Sequence, residues 1–226
     1  IDAARRAGVK GLLYLGSSCI YPRDCPQPIK EEYLLTGALE RTNEPYAIAK
    51  VAGVKLCEAF NAQYGTRYVS VMPTNLYGPN DNFDLATAHV LPALLRKAHL
   101  ARHEGADAMA IWGSGRPRRE FLYVDDLAEA CILLMEQRIG EGIYNIGSGT
   151  DLTVKELAEV VMRVVGFEGR LVFDASKPDG TPRKLLDISR MRALGWRPRY
   201  DLEAGIRLTY QWCLDNDVFE PSAVEY

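Results

Sequence analysis

Residues 43–73 read "NEPYAIAKVAGVKLCEAFNAQYGTRYVSVMP", a helical pattern that passes into a strand pattern with one glycine at the join. Asn43 can cap a helix, Pro45 suits its first turn, Ala47, Val51, Val54 and Leu56 supply an apolar face, and Gly65 is a stop. Arg67 to Met72 is then a strand, ended by Pro73. Upstream, Val9 to Leu15 is a near-continuous apolar run, which predicts a strand buried on both faces. Strand, helix and strand at this spacing predict an α/β fold with a parallel sheet and crossover helices.

Working outward, a proline-rich polar loop fills Tyr21 to Asn43. A helix is expected over His89 to His103, a strand over Ala108 to Trp112, a glycine turn at Gly113-Ser114-Gly115, and a strand over Arg119 to Val124. Asp125 is placed to cap the next helix, whose apolar side includes Leu127, Ala130, Leu133 and Leu134. Ile143 to Ile146 and Arg170 to Phe173 read as strands. Thr153 with Glu156 three residues on forms a capping box for a helix ending near Val165, and Asp201 to Asp215 is a last amphipathic helix.

The chain has 27 basic and 30 acidic residues, net charge −3, and 47% hydrophobic content. That is a globular composition without the basic field that recruits nucleic acid or anionic membrane, so any anion site is local. No apolar stretch approaches the roughly 20 residues that span a bilayer. Five dispersed cysteines without CxxC spacing disfavour a disulfide framework and a metal site and point to a reducing, cytoplasmic setting. Cys57, Cys131 and Cys213 read as inert packing thiols on helix faces. His99 and His103 read as a solvated pair, because no third ligand accompanies them.

Tyr46-Ala47-Ile48-Ala49-Lys50 puts a phenol and an ammonium four residues apart on one helix face. An ammonium beside a phenol stabilises the phenolate, so such a pair can exchange a proton near neutrality. The same spacing also occurs on ordinary surface helices, and its setting decides between the two. That setting is a serine-rich strand end, Gly16-Ser17-Ser18-Cys19, and Pro73-Thr74-Asn75-Leu76 after the next strand.

In "GSSCIYP", "NEPYAIAK", "MPTNLYGPNDNF", "WGSGRPRREFLYVDD" and "KPDGTPRKLLD" the chain resembles the extended short-chain dehydrogenase/reductase family of nucleotide-sugar enzymes. The resemblance implies a Rossmann-type doubly wound parallel sheet with a smaller α/β substrate domain. The boundaries expected are 1–78 with 120–148 for the cofactor domain, and 79–119 with 149–226 for the substrate domain. It implies Ser17, Tyr46 and Lys50 as the proton-handling set at a sugar ketone, and Cys19 with His89 as base and acid of an epimerisation. Leu15, Gly16, Ser17, Ser18, Tyr46, Lys50, Pro73, Thr74, Asn75, Leu76 and His89 would line the nicotinamide side of NADP(H). Lys97, Trp112, Arg119 and Asp179 would contact the nucleotide sugar, with no metal.

The activity implied is 3,5-epimerisation of GDP-4-keto-6-deoxy-D-mannose followed by NADPH-dependent reduction at C4, in a homodimer. A sister 4-epimerase, dehydratase or 4-ketoreductase, or a non-catalytic nucleotide-sugar-binding fragment, stays open at this point. The glycine-rich turn of a dinucleotide fold is lacking: Gly113-x-Gly115 leads to Arg118 and Gly147-x-Gly149 to Leu152. At about 30 residues per βαβ unit, a segment on the order of 80 to 100 residues is expected to precede Ile1.

Overall fold

The structure, a computed structural model, describes residues 1–139 and 142–219. The chain divides into two compact units. The first holds Ile1–Leu76, Glu120–Asp151 and Arg183–Arg199; the second holds Tyr77–Arg119, Leu152–Pro182 and the described residues from Tyr200 on. Short strands β3 (Asn75–Tyr77), β5 (Arg118–Tyr123), β7 (Asp151–Thr153) and β9 (Arg183–Lys184) run where the chain passes from one unit to the next.

In the first unit, after a short helix α1 (Asp2–Arg6), β1 (Gly11–Leu15), β2 (Arg67–Pro73) and β6 (Ile143–Ile146) form a parallel sheet in the order β1-β2-β6. The register is Leu15 to Val71 and Met72 to Asn145, so the carboxyl ends of the three strands lie side by side. Helix α2 (Glu44–Tyr64) links β1 to β2 and ends at Gly65, whose φ of 62° is left-handed. Ile20, Tyr21, Val54 and Met72 form one apolar cluster. Val71, Leu127, Ala130 and Leu134 form another, under α4 (Val124–Glu136).

Four local expectations are corrected. β1 is half-exposed along its length and Leu15 is 49% accessible, because β1 pairs with β2 alone among the described strands. Asn43 occupies the N-cap position of α2, yet its side chain makes no cap bond. Tyr123, not Asp125, is the N-cap of α4, and the buried carboxylate of Asp126 instead accepts from the Arg199 N–H at 2.8 Å. Arg183–Arg199, with helix α6 (Ser189–Ala193), was expected with the substrate domain but packs in the first unit. Leu186, Ile188, Met191 and Trp196 are buried there, at roughly 1.5–3 kcal/mol for each large side chain.

The proline-rich loop is pinned rather than loose. The Tyr21 hydroxyl donates to Asn145 Oδ1 at 2.7 Å, the Asn145 amide to the Ile29 carbonyl at 2.9 Å, and the Asn145 N–H to Glu31 at 3.0 Å.

The second unit packs α3 (Val90–His103), α5 (Val154–Val165) and α7 (Leu202–Asp215) together, with a parallel pair β4 (Ala108–Trp112) and β8 (Arg170–Asp174). The capping box of α5 forms as expected, with Thr153 Oγ1 accepting from the Glu156 N–H at 3.1 Å and Glu156 accepting in return. His99 is half-buried rather than fully solvated: its ring lies 3.0 Å from the Tyr210 hydroxyl and packs against Phe219.

Candidate active site

The end of β1 turns sharply because Ser17 caps the 3-10 turn Ser18–Ile20, its Oγ accepting from the Cys19 N–H at 3.1 Å. That bond uses the hydroxyl as acceptor and leaves its proton free to donate. Ser18 points inward and is buried. The neighbouring Gly16 is closely approached: a Cβ there would lie 2.5 Å from Met72 Sδ and 3.0 Å from the Val71 carbonyl, so the Met72 side chain would have to move. The main chain therefore runs flat and bare at the strand end.

Lys50 reaches this strand end from α2 and donates to the Leu15 carbonyl at 2.8 Å. Its ammonium lies 5.7 Å from the Tyr46 ring centroid and 5.5 Å from that of Tyr14. Two of its three N–H donors remain for hydroxyl acceptors, which fits a ribose diol. Tyr46 is 49% accessible, so its phenol is open to a ligand. Among the described residues no hydrogen bond joins Ser17 to Tyr46; both stand at the β1 end without touching each other through a bond. At the end of β2, Thr74 and Asn75 donate to the Glu120 carbonyl at 3.1 and 2.8 Å, while Pro73 and Leu76 flank them. A crevice outside the carboxyl ends of parallel strands is where open α/β sheets bind dinucleotides.

Cys19 is half-buried, and Lys184 donates to its Sγ at 3.4 Å. The sequence reading missed Lys184, although it lies in "KPDGTPRKLLD", because nothing local signals a partner 165 residues away. Cys57 and Cys213 are buried as expected, and burial pushes the Cys213 thiol up to about 12.

The second unit carries the other predicted residues. His89 is the N-cap residue of α3 and makes no side-chain cap bond. Lys97 donates to the Ala110 carbonyl at 3.2 Å and lies 5.1 Å from the Trp112 ring, with burial holding its ammonium below the usual lysine range. Trp112 is 56% accessible, and Lys177 approaches its ring to 5.3 Å. Beside them lies a cavity of about 170 Å³ lined by Leu85, Val90, Lys97, Ile111 and Trp112. Burial also lowers the Arg119 guanidinium, against the pull of Asp179. Asp179 is engaged with its own unit: it accepts from the Ser114 N–H and hydroxyl at 2.6 and 2.7 Å, and so holds the glycine turn.

A strand-end serine, a phenol and ammonium on the next helix, and bare main chain at two parallel strand ends form a constellation with a family counterpart. Residues 1–147 match the NAD dependent epimerase/dehydratase family. The chain belongs to this family. Within the epimerase/dehydratase family it is 57% identical to a putative GDP-L-fucose synthase 2 of Arabidopsis thaliana, covering 96% of this chain and 66% of that one. It is 55% identical to the GDP-L-fucose synthase of Escherichia coli K12, covering 96% and 70%. A GDP-L-fucose synthetase structure from Naegleria fowleri bound to NADP superposes with a TM-score of 0.87 at 30% identity, covering 96% and 70%. The chain thus spans about two thirds of the length of the curated relatives it matches.

Proposed function

We propose that this epimerase/dehydratase family member is a GDP-L-fucose synthase, and that the chain carries its ketone-facing residues. The observation that carries the reading is the cluster at the end of β1, where Ser17, Cys19, Tyr46 and Lys50 gather in a chain 55–57% identical to such enzymes. The substrate is GDP-4-keto-6-deoxy-D-mannose, the cofactor NADP(H). The cavity beside Trp112, with Lys97 and Lys177 at the ring, suits the flat base and anionic diphosphate of a nucleotide sugar. Arg119 is the further cation for the diphosphate. Asp179 serves by holding the turn beside Trp112.

Protons on the carbons beside a C4 ketone are acidic because the electron pair left behind enters an enolate. Cys19 takes such a proton onto its sulfur; His89 returns one to the opposite face of the carbon, and the centre inverts. The Ser17 hydroxyl donates to the C4 oxygen, where negative charge gathers both in the enolate and during reduction. Tyr46 gives that oxygen its proton, and Lys50, fixed on the Leu15 carbonyl, steadies the phenolate left behind. When bound, NADPH supplies hydride to C4. Lys50 would hold its ribose, and the strand ends Leu15–Ser18 and Pro73–Leu76 its nicotinamide; the family resemblance adds His89 to the cofactor contacts. The free thiols fit a cytoplasmic setting.

The test is proton NMR of GDP-4-keto-6-deoxy-D-mannose in deuterated buffer without cofactor. The C3 and C5 protons exchange with the wild type, while Cys19→Ser slows exchange about a hundredfold or more. Tyr46→Phe keeps the exchange and loses NADPH-dependent reduction. Wild-type protein that leaves both protons untouched would overturn the assignment.

A further inference from the structure

Lys184 is an oddly placed lysine. It lies in the two-residue strand β9, and the main chain around it is fastened on every side. Arg183 pairs with Asp151, and the Leu185 N–H donates to Gln27 at 2.9 Å. The Leu186 N–H donates to the buried Glu120 carboxylate at 2.9 Å, and Leu185 and Asp187 bond to Ile29 through main chain at 2.7 and 2.8 Å. From this fixed base one long side chain reaches Cys19 Sγ at 3.4 Å. Ordering a lysine side chain costs up to about 1.5–2 kcal/mol, so a lysine held on a thiol needs a return. Among the described residues no carboxylate pairs with Lys184, so its charge is available to the sulfur.

We infer that Lys184 is the positioning residue of Cys19: its ammonium holds the sulfur toward the substrate ketone and stabilises it as the thiolate that removes the carbon proton. This rests on the epimerase reading only for the identity of the carbon acid. The balance is simple. The thiolate takes the proton and becomes a thiol, the C–H electron pair enters the enolate, and the Lys184 ammonium keeps its protons throughout. The sulfur regains its thiolate form by losing that proton to solvent under the same ammonium.

The test uses the intact protein with Lys184→Gln and Lys184→Arg, labelled with iodoacetamide at neutral pH and read by peptide mass. Trypsin cuts after Lys10, Arg23 and Lys30, so Cys19 and Cys25 leave on separate peptides. Cys19 is expected to label about fivefold or more slowly in Lys184→Gln and within about twofold of wild type in Lys184→Arg. Loss of fold would show the opposite way, as rapid labelling of buried Cys57 and Cys213. Unchanged labelling of Cys19 in Lys184→Gln overturns the inference, and so does an Arg variant as slow as the Gln variant. Where the wild type exchanges C3 and C5 protons, that exchange must fall with the labelling rate; exchange that then stays at the wild-type level in Lys184→Gln also overturns it. If the labelling pattern holds while wild-type protein exchanges neither proton, the lysine–thiolate contact stands and the substrate assignment falls instead.

Discussion

Glu120 shows how much one buried carboxylate can organise. Its side chain is fully buried, accepts from the Gly149 N–H at 2.6 Å and from the Leu186 N–H at 2.9 Å, while its own carbonyl receives Thr74 and Asn75. Gly147 is fixed by the same group, since a Cβ there would strike the carboxylate. Burial outweighs these donors and raises the acid from 4.5 to about 7. A folded value above the unfolded one means the folded state holds a proton that the unfolded state has lost. The associated stability, at most about 3 kcal/mol, is full below about pH 4.5 and is lost as pH rises through about 7. Urea unfolding of wild type and Glu120→Gln at pH 5 and pH 8 should therefore show a gap that narrows at the higher pH; a constant gap would refute this. None of it is legible in sequence, where Glu120 looks like one more charge in "GRPRREF". The turn at Ser17 is made by bonds between neighbours in the chain, whereas Lys184 and Cys19 meet only through tertiary structure.

At the scale of elements, the sequence signals that held were those whose physics is local. The Thr153/Glu156 box needs only four consecutive residues, and both of its bonds form. Replacing Thr153 by Ala should cost about 1 kcal/mol in unfolding free energy, and Ser should restore most of it. An alanine variant as stable as wild type would mean that the packing of α5 against α3 and α7 masks the cap. Asn43 and Asp125 carried the same residue types before helices and failed, because the Asn43 side chain does not bond into its helix and Asp125 sits inside the first turn. Strands β3, β7 and β9 escaped notice because two or three residues show no period. The apolar run before Ser17 predicted a strand correctly but overstated its burial, since a run reports hydrophobicity and not how many neighbours the strand finds.

For the whole molecule, the α/β class was readable from the order of elements, but the return of Arg183–Arg199 to the first unit was not. The reason is that its anchors, Leu186, Ile188 and Met191, resemble any apolar scatter until Glu120 and Ile29 are seen to receive the chain. For the homodimer we propose α2 as the surface: Ile48 and Leu56 are 54% and 42% accessible there, on a helix that also leaves Tyr46 and Tyr64 exposed. Sedimentation of the intact protein should show a dimer that Ile48→Asp with Leu56→Asp converts to monomer, because a buried interface does not tolerate two unpaired charges. A dimer surviving both changes would place the interface elsewhere. The return of Arg183–Arg199 also bears on how such a protein can be rearranged by recombination. A crossover after Asp151 that imports a foreign C-terminal segment would exchange Lys184 and the Leu186 N–H along with it, leaving Cys19 and Glu120 facing strangers. New specificities are reached more readily by changing the inserted stretches Tyr77–Arg119 and Leu152–Pro182 in place, while both flanking ends stay native.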